Sequence, residues 1–238
     1  MQINALSDCP GLCLNNIALS NVKEFKDLGV VIDDSLKFTS HVNNAVAKAS
    51  ARACLIHKCF ASRDVHTLSH AYKTYVKPLL EYASCVWSPV YTTTIRLIES
   101  VQRKFTKRLQ GYSHLNYSSR LTNLEMESLE LRRLHSDLIF TYKILFGLTK
   151  INPTDLFTFP SSAHNTRGHA HKLVLNNSRV NVRQHFFADR VIKPWNSLKV
   201  GPSSFNSILS FKLYSKINIL VNFWSINSTI YSSLMCVF

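Results

Sequence analysis

Positively charged side chains recur at helical spacing in two parts of the chain. Between residues 94 and 110 they lie off the apolar positions Ile98, Val101, Phe105 and Leu109. The cations of this stretch are Arg96, Arg103, Lys104, Lys107 and Arg108. Four further basic residues follow one another at steps of four, three and four: His66, His70, Lys73 and Lys77. Because residues three or four apart share a face of an α-helix, the spacing predicts two basic helix faces.

Such faces suit contact with the phosphate backbone of a nucleic acid, because unpaired cations attract polyanions. No acidic residue occurs between Ser100 and Leu124 to neutralise the first face. Tyr112, His114 and Tyr117 lie nearby as candidate stacking groups for bases. The alternative is a solvated face that serves only solubility, since a row of basic residues indicates attraction to anions but does not identify a particular partner.

An acidic pair at the end of an apolar run is the main candidate for metal-dependent catalysis. Asp33-Asp34 follows Val30-Val31-Ile32, and polymerases hold two magnesium ions on carboxylates at such positions. A two-metal site also needs a carboxylate from an earlier strand. The acids before the pair are only Asp8, Glu24 and Asp27, and no nucleotide-binding segment precedes it. We therefore interpret the pair as a turn.

Other catalytic or metal-binding patterns are incomplete. His66 and His70 are spaced as zinc ligands, but Thr67 stands where a hydrolytic zinc helix has Glu. The histidines His164, His169 and His171 lack cysteine or carboxylate neighbours. The pairs Cys9/Cys13 and Cys54/Cys59 do not have the spacing of zinc ribbons, and no Gly-x-Ser-x-Gly elbow occurs. The sequence predicts no cofactor, no metal and no complete catalytic site in this chain.

The composition is that of a folded, strongly basic protein. Among 238 residues, 28 Lys and Arg stand against 14 Asp and Glu, which gives a net charge of +14. This excess favours a polyanionic partner over the two alternatives, a merely soluble basic protein and a membrane-surface binder. No secretory signal begins the chain, and the six cysteines form no disulfide framework. We expect a reducing intracellular compartment, nucleus or cytoplasm.

Four segments follow from the hydrophobic pattern. Residues 1–38 predict short strands in a hairpin or meander, with Asn15-Asn16 as a turn and one apolar run from Leu28 to Ile32. Residues 39–150 predict a helical bundle, and 151–216 a basic, irregular C-terminal segment. The uncharged stretch 217–238 is long enough to span a bilayer, but its many Asn and Ser residues argue against a membrane anchor. The fold class is therefore mainly α.

The helices of the bundle have recognisable ends and apolar stripes. Ser40 and Asp64 are the expected N-caps of the first two, and Pro78 should kink the second. A third helix starts near Thr94 and stops at Gly111, and a fourth spans roughly residues 128–146. The aromatic residues expected in the core are Tyr72, Tyr75 and Trp87.

Several stretches carry a family resemblance. The most specific runs from Tyr75 to Pro89 and includes Tyr75-Val76-Lys77-Pro78-Leu79-Leu80-Glu81-Tyr82-Ala83-Ser84 and Val86-Trp87-Ser88-Pro89. The others are Phe25-Lys26-Asp27-Leu28-Gly29-Val30 with Asp33, Leu36-Lys37-Phe38 and His41-Val42, then Ile98-Glu99, Val101-Gln102-Arg103-Lys104-Phe105-Thr106, Leu131-Arg132-Arg133-Leu134, Asp137-Leu138, Thr141-Tyr142-Lys143-Ile144 with Gly147, Thr166-Arg167-Gly168-His169, Phe186-Phe187, Arg190-Val191-Ile192 and Trp195-Asn196-Ser197-Leu198. Together they resemble the reverse transcriptases of jockey-like non-LTR retrotransposons over about residues 9–216.

The resemblance implies descent from an RNA-directed DNA polymerase that primes on nicked DNA. The catalytic Asp pair of that family belongs upstream of Leu28-Gly29-Val30, so the chain is expected to begin after it, and Asp33 matches a non-catalytic position. Magnesium is accordingly expected only for the parent polymerase. The helices from His41 to Gln110 resemble the thumb that grips the template–primer duplex. Two departures are Lys199, where the family usually has proline, and the unmatched closing residues.

These inferences combine into a functional prediction. The chain is expected to be a truncated reverse transcriptase that binds the backbone of an RNA–DNA or DNA duplex. The residues predicted to bind it are Lys73, Lys77, Arg96, Arg103, Lys104, Lys107 and Arg108. One alternative is an inert helical fragment or protein-interaction module. Another is an active polymerase whose carboxylates come from a second chain.

Overall fold

Short antiparallel hairpins begin the fold in the computed structural model, which describes residues 13–15, 17–18, 22–160, 169–175, 181–199 and 201–216. Strand β1 (Cys13–Leu14) pairs with β2 (Ile17–Ala18), and Asn15 turns between them with a φ of 51°. Strand β3 (Glu24–Asp27) pairs with β4 (Val30–Asp33). The predicted hairpin character of this region is confirmed, and Asp8, Leu12 and Leu19 lie outside the described residues.

The second hairpin turns inside the apolar run that the sequence pattern presented as one strand. Leu28 and Gly29 form the two-residue turn between β3 and β4, with φ values of 45° and 89°. Two consecutive positive φ angles match the twist of a hairpin, and glycine adopts them without a steric cost. Leu28 is therefore 84% exposed, and Val30 is the residue of this run that enters the core.

Six helices follow in the first of two compact units, which divide the chain between Leu129 and Glu130. They are α1 (Thr39–Cys59), α2 (Val65–Tyr75), α3 (Lys77–Glu81), α4 (Ser84–Trp87), α5 (Thr92–Lys107) and α6 (Tyr117–Asn123). Helix α1 packs against α2, α3 and α5, and against β4. The buried core of this unit includes Val42, Tyr72, Trp87 and Phe105.

The two predicted N-caps have different outcomes. The carboxylate of Asp64 accepts a hydrogen bond from the backbone N–H of Thr67 at 2.7 Å, which confirms it as the cap of α2. Ser40 is not a cap, because α1 already begins at Thr39 and Phe38 occupies the cap position with a φ of 55°. The Asp33 carboxylate sets this start, since it accepts hydrogen bonds from the backbone N–H groups of Lys37 and Phe38. The Ser40 hydroxyl bonds to Glu24 instead.

The helix predicted to kink at Pro78 is interrupted there for one residue, Val76, whose φ of −102° and ψ of −51° are still helical. Helix α2 ends at Tyr75 and α3 starts at Lys77, because proline lacks an N–H and its ring opposes the preceding turn. Tyr72 and Trp87 are buried as predicted, with exposed fractions of 0% and 1%. Tyr75 was expected in the core and is exposed, because the chain turns after it and Val76 takes the buried position.

The second unit holds the remaining elements. They are α7 (Leu129–Leu145, from its second residue onward), α8 (Pro153–Leu156), α9 (Asn181–Gln184), α10 (Phe187–Asn196), a 3₁₀ turn (Pro202–Phe205) and a helical stretch at 208–216. Its core is aromatic: the Tyr142 ring lies 4.6 Å from that of Phe211, which lies 5.5 Å from Trp195. The segment 151–216, expected to be irregular, thus contributes short helices that pack around a core in its described part. The fold is mainly α, as predicted.

Polar side chains from α10 contribute to holding this second unit together. The Arg190 guanidinium donates to both carboxylate oxygens of the buried Asp137, at 3.0 and 3.2 Å. The Asn196 side chain accepts from the backbone N–H of Leu173 at 2.9 Å and donates to its carbonyl at 2.7 Å. The motif residues around Trp195 therefore fix the segment 169–175. Thr166-Arg167-Gly168 and the stretch 217–238 lie outside the described residues, and none of the described helices is long and apolar enough to cross a membrane.

Candidate nucleic-acid interface

Helix α5 separates its charged and buried residues cleanly. Ile98, Val101 and Phe105 are each no more than 2% exposed and pack into the core of the first unit. The five predicted cations of this stretch, Arg96, Arg103, Lys104, Lys107 and Arg108, are all exposed. None of the five forms an ion pair with a described residue. Their charge is therefore open to an external anion.

The five cations form one continuous surface, which we call the α5 face. At about 100° per residue, Arg96, Arg103 and Lys107 fall within roughly 40° of one another around the helix axis. Lys104 and Arg108 widen the charged sector on one side, so that Arg108, the residue after the end of α5, borders the buried Val101. The rise of an α-helix places Arg96 and Lys107 about 16 Å apart along the axis. This length is enough to follow several consecutive phosphates of a strand.

A tyrosine from α6 supports the centre of the α5 face. The Arg103 guanidinium lies over the Tyr117 ring, 4.3 Å from its centre. The Tyr117 hydroxyl donates to Glu99 and accepts from the Gln102 side-chain amide at 3.0 Å. Burial and the Glu99 charge both raise the pKa of Tyr117 above its usual value. Tyr117 is therefore part of the scaffold and not the freely stacking group that the sequence predicted.

Glu99 and Gln102 connect α5 to the residues that follow α6. The second Glu99 oxygen accepts from the backbone N–H of Leu129 at 3.0 Å, and the Gln102 amide also donates to the Glu127 carbonyl at 3.0 Å. Both side chains are buried. The acid in α5 is thus engaged inside the unit by Tyr117 and Leu129, although it lies only one turn before Arg103. Sequence reasoning missed this role, although a Glu three residues before a Gln on an apolar face signals a buried polar network.

The residues of the second predicted basic face are divided between α2 and α3 and differ in exposure. His66 and His70 are exposed on α2, whereas Lys73 is half-buried and its ammonium donates to the Leu124 carbonyl at 3.3 Å. Lys77 lies on α3, since the helix is interrupted at Val76, and it is half-buried with an interaction of its own. The single basic face from His66 to Lys77 stays a prediction, and its two lysines are less exposed than the cations of the α5 face.

The predicted turn at Asp33 is confirmed. The Asp33 carboxylate accepts hydrogen bonds from the backbone N–H and the hydroxyl of Ser35, and from the backbone N–H groups of Lys37 and Phe38. Burial raises the pKa of this carboxyl, but the hydrogen bonds together hold it below its usual value. Within the described part of the chain, no cluster of three His, Cys, Asp or Glu residues is placed to hold a metal ion.

The remaining histidine and stacking candidates have structural surroundings. His169 is buried, and its Nε2 is 2.9 Å from the carbonyl oxygen of Trp195. Tyr112 is half-buried against the core of the first unit, and His114 is exposed. Of the aromatic groups proposed for base stacking, His114 is thus the one left at the surface.

Sequence comparison relates part of the chain to a known class of protein, the reverse transcriptases of mobile elements. Over 111 residues, 45% of the chain, it is 32% identical to the "RNA-directed DNA polymerase from mobile element jockey" of Drosophila funebris. The protein of the same name from Drosophila melanogaster is 25% identical over 111 residues. The predicted resemblance is confirmed: the chain contains a region derived from a jockey-like non-LTR retrotransposon reverse transcriptase.

The similarity is partial on both sides. The chain spans 12% of the length of each jockey polymerase. It is also 27% identical over 124 residues to the "Uncharacterized protein B0403.1" of Caenorhabditis elegans, which covers 51% of this chain and 63% of that protein. No protein-family model matches the chain, and neither does any solved structure.

Proposed function

We propose that this chain binds the sugar–phosphate backbone of an RNA–DNA or DNA duplex through the α5 face, as a thumb-like part of a reverse transcriptase would. The observation that carries the proposal is the set of five exposed cations on one side of α5, none of them paired with a described acid. Partial similarity to jockey RNA-directed DNA polymerases supports the same proposal, because a polymerase of that name acts on nucleic acid.

The alternative of a purely structural or solubilising face explains only part of this arrangement. Lys104 and Lys107 lie in the last turn of α5, where cations are stabilised by the negative end of the helix dipole. Arg96 lies in the second turn, where the dipole offers a cation no such benefit. Arg103 is held over the Tyr117 ring, which orders a side chain that would otherwise be mobile in solvent. An ordered, unpaired guanidinium favours a binding role.

Lys73 and Lys77 are weaker members of the proposed interface. The Lys73 ammonium already donates to the Leu124 carbonyl, and Lys77 is half-buried. We therefore place the main contact on α5 and assign these two lysines a secondary contribution.

We do not assign polymerisation to the described residues. The Asp33 carboxylate, the one that follows the apolar run of β4, is engaged by hydrogen bonds from Ser35, Lys37 and Phe38. Its geometry is that of a turn, in which both oxygens are used internally. Primer extension with magnesium and a second polypeptide carrying the palm carboxylates tests the alternative of a composite active polymerase.

The test of the proposed function is duplex binding across a salt series. A fluorescent RNA–DNA duplex is titrated with the purified chain between 50 and 200 mM salt, and the anisotropy yields the affinity at each step. The test variant carries Arg103, Lys104, Lys107 and Arg108 changed to Ala. If each cation contacts one phosphate, the slope of log affinity against log salt becomes shallower by about 3 to 4.

A matched variant controls for net charge. Lys150, Lys193, Lys199 and Lys212 are exposed residues of the second unit, and changing them to Ala removes the same four charges. We expect this control to keep the wild-type slope within about one unit. Equal slopes in the two variants would contradict a specific α5 interface. Absence of wild-type binding at 50 mM salt in a folded sample would leave the inert fragment or protein-interaction module as the better hypothesis.

A further inference from the structure

A pocket of about 380 Å³ opens in the first unit, away from the residues of the α5 face. Its walls come from the β3–β4 hairpin, the N-terminal half of α1, and α3 with the residue after it. The residues that matter for its chemistry are Lys26, His41, Lys48, Leu79 and Tyr82. Its volume falls in the range of about 300–1,000 Å³ that is typical of small-molecule sites.

The charge of the pocket is positive. Lys26 from β3 and Lys48 from α1 both line it, and no Asp or Glu is among its lining residues. Neither lysine forms an ion pair with a described residue. Two unpaired ammonium groups around one cavity favour an anion with more than one negative charge. A phosphate monoester carries about −1.5 to −2 at pH 7, whereas a backbone diester carries a single charge.

His41 adds a neutral hydrogen-bond donor to these two cations. Its Nδ1 accepts from the backbone N–H of Val31 at 3.3 Å, so the ring proton of the neutral form lies on Nε2. Burial and the nearby Lys48 charge lower the pKa of His41 below its usual value, which keeps the ring neutral at pH 7. The ring is also held edge-on to Trp87, with 5.0 Å between the ring centres. A fixed imidazole N–H of this kind suits a phosphate or carbonyl oxygen.

One wall of the pocket is apolar and flat. Leu79 and Pro78 line it together with Tyr82, whose hydroxyl donates to the Leu28 carbonyl at 2.8 Å. This hydrogen bond fixes the ring against the hairpin turn. The Tyr82 ring also lies beside Gly29, where a Cβ would make an ordinary van der Waals contact of 3.5 Å with Cε1. A rigid aromatic ring beside aliphatic carbon is a surface on which a nucleobase stacks.

We propose that this pocket binds a single nucleotide unit that carries a phosphate monoester. The phosphate lies between Lys26 and Lys48, and the base lies against Tyr82 and Leu79. Two sources have this chemistry, a free nucleoside monophosphate and the phosphorylated end of a nucleic-acid strand. The proposal is independent of the α5 face, because it involves different residues. It also depends on the higher charge of a phosphate monoester, which the diesters of a duplex backbone lack.

The experiment measures binding of AMP to the full chain by isothermal titration calorimetry, with adenosine as the probe that lacks phosphate. We expect AMP to bind at least tenfold more tightly than adenosine. The variant Lys26→Gln/Lys48→Gln should weaken AMP binding at least tenfold. The control variant Lys23→Gln/Lys58→Gln removes two exposed lysines outside the pocket lining and should bind AMP like the wild type. Thermal unfolding of each variant verifies that it is folded.

A second arm separates the two sources of the phosphate. A short single-stranded oligonucleotide is titrated with a 5′-phosphate or a 5′-hydroxyl end. Tighter binding of the phosphorylated form, lost in Lys26→Gln/Lys48→Gln, supports the strand end, and AMP binding without that preference supports a free nucleotide. The proposal is overturned if AMP does not bind a folded chain, or if the pocket and control variants bind it equally. The variant with four Ala substitutions on the α5 face should retain AMP binding. Failure of the duplex-binding proposal would therefore leave the pocket proposal standing.

Discussion

The guanidinium of Arg103 lies 4.3 Å from the centre of the Tyr117 ring, and the Tyr117 hydroxyl donates to the buried Glu99. One tyrosine thus joins an exposed cation of α5 to a carboxylate on the buried side of the same helix. Arg120 approaches the same ring at 5.4 Å, and its guanidinium donates to the Arg103 carbonyl at 2.9 Å. Tyr117 therefore has two roles: it stabilises the buried network around Glu99, and it holds the Arg103 charge at the surface. A mutation that removes only the hydroxyl can separate these two roles.

Tyr117→Phe is expected to lower stability without changing duplex binding. The variant loses a donor to Glu99 and an acceptor for Gln102 in a buried site, which costs about 1–3 kcal/mol of unfolding free energy. The phenyl ring remains beneath Arg103, so the salt slope of duplex binding should stay at the wild-type value. Urea unfolding and the anisotropy series measure the two effects.

Tyr91→Phe is the matched control, because Tyr91 is 60% exposed. Its unfolding free energy should stay within about 0.5 kcal/mol of the wild type. A Tyr117→Phe variant as stable as this control would show that the Glu99 hydrogen bond contributes nothing measurable.

Asn196→Ala is expected to loosen the segment 169–175. The Asn196 side chain makes both hydrogen bonds to the backbone of Leu173, so its loss removes two polar contacts between that segment and α10, while the hydrogen bonds of Trp195 to His169 and His171 remain. The cost should be about 1–3 kcal/mol. Lys172 lies in the segment, and trypsin should therefore cleave after it faster in the variant, as measured by mass spectrometry of the fragments.

Asn123→Ala, at an exposed position in α6, provides the comparison for this experiment. It should leave the rate of cleavage after Lys172 unchanged. Equal rates in Asn196→Ala and wild type would mean that the other contacts, which are the hydrogen bonds of Trp195 to His169 and His171 and the burial of Leu173, are enough to hold the segment.

Acidification is expected to destabilise the first unit partly through His57. This residue is 7% exposed in α1 with its ring centre 4.6 Å from that of Phe105. Burial lowers the pKa of His57 most, and the Arg108 and Arg63 charges lower it further. The unfolded chain takes up a proton near its ordinary pKa of about 6.5, whereas the folded chain does so only at lower pH. The free energy of unfolding should therefore fall as the pH decreases from about 6.5 through the folded pKa.

His57→Gln removes this titration, so its urea midpoint should decrease less between pH 7.5 and 5 than that of the wild type. His114→Gln changes an exposed histidine and should keep the wild-type pH dependence. Identical pH dependence in wild type and His57→Gln would assign the acid sensitivity to other groups.

The local elements of the fold were predictable because their signals are local. Helical periodicity placed the buried residues Ile98, Val101 and Phe105 of α5 correctly, and the cap at Asp64 depends only on a residue three positions later. The interruption at Val76 was predictable as a kink, since Pro78 lacks an N–H and its ring opposes the preceding turn. The start of α1 at Thr39 was missed because it depends on the Asp33 carboxylate, which lies before the helix.

By itself the sequence determined the excess of positive charge, the helical periodicity of α5 and the resemblance to jockey-like reverse transcriptases, because charge, spacing and motif are properties of neighbouring residues. The tertiary structure decided which cations remain unpaired: it committed the Lys73 ammonium to the Leu124 carbonyl and placed Tyr117 beneath Arg103. It also brought Lys26 and Lys48 to one pocket from a strand and a helix. Such contacts join residues far apart in the chain, and only the packing of the core sets the distance between them.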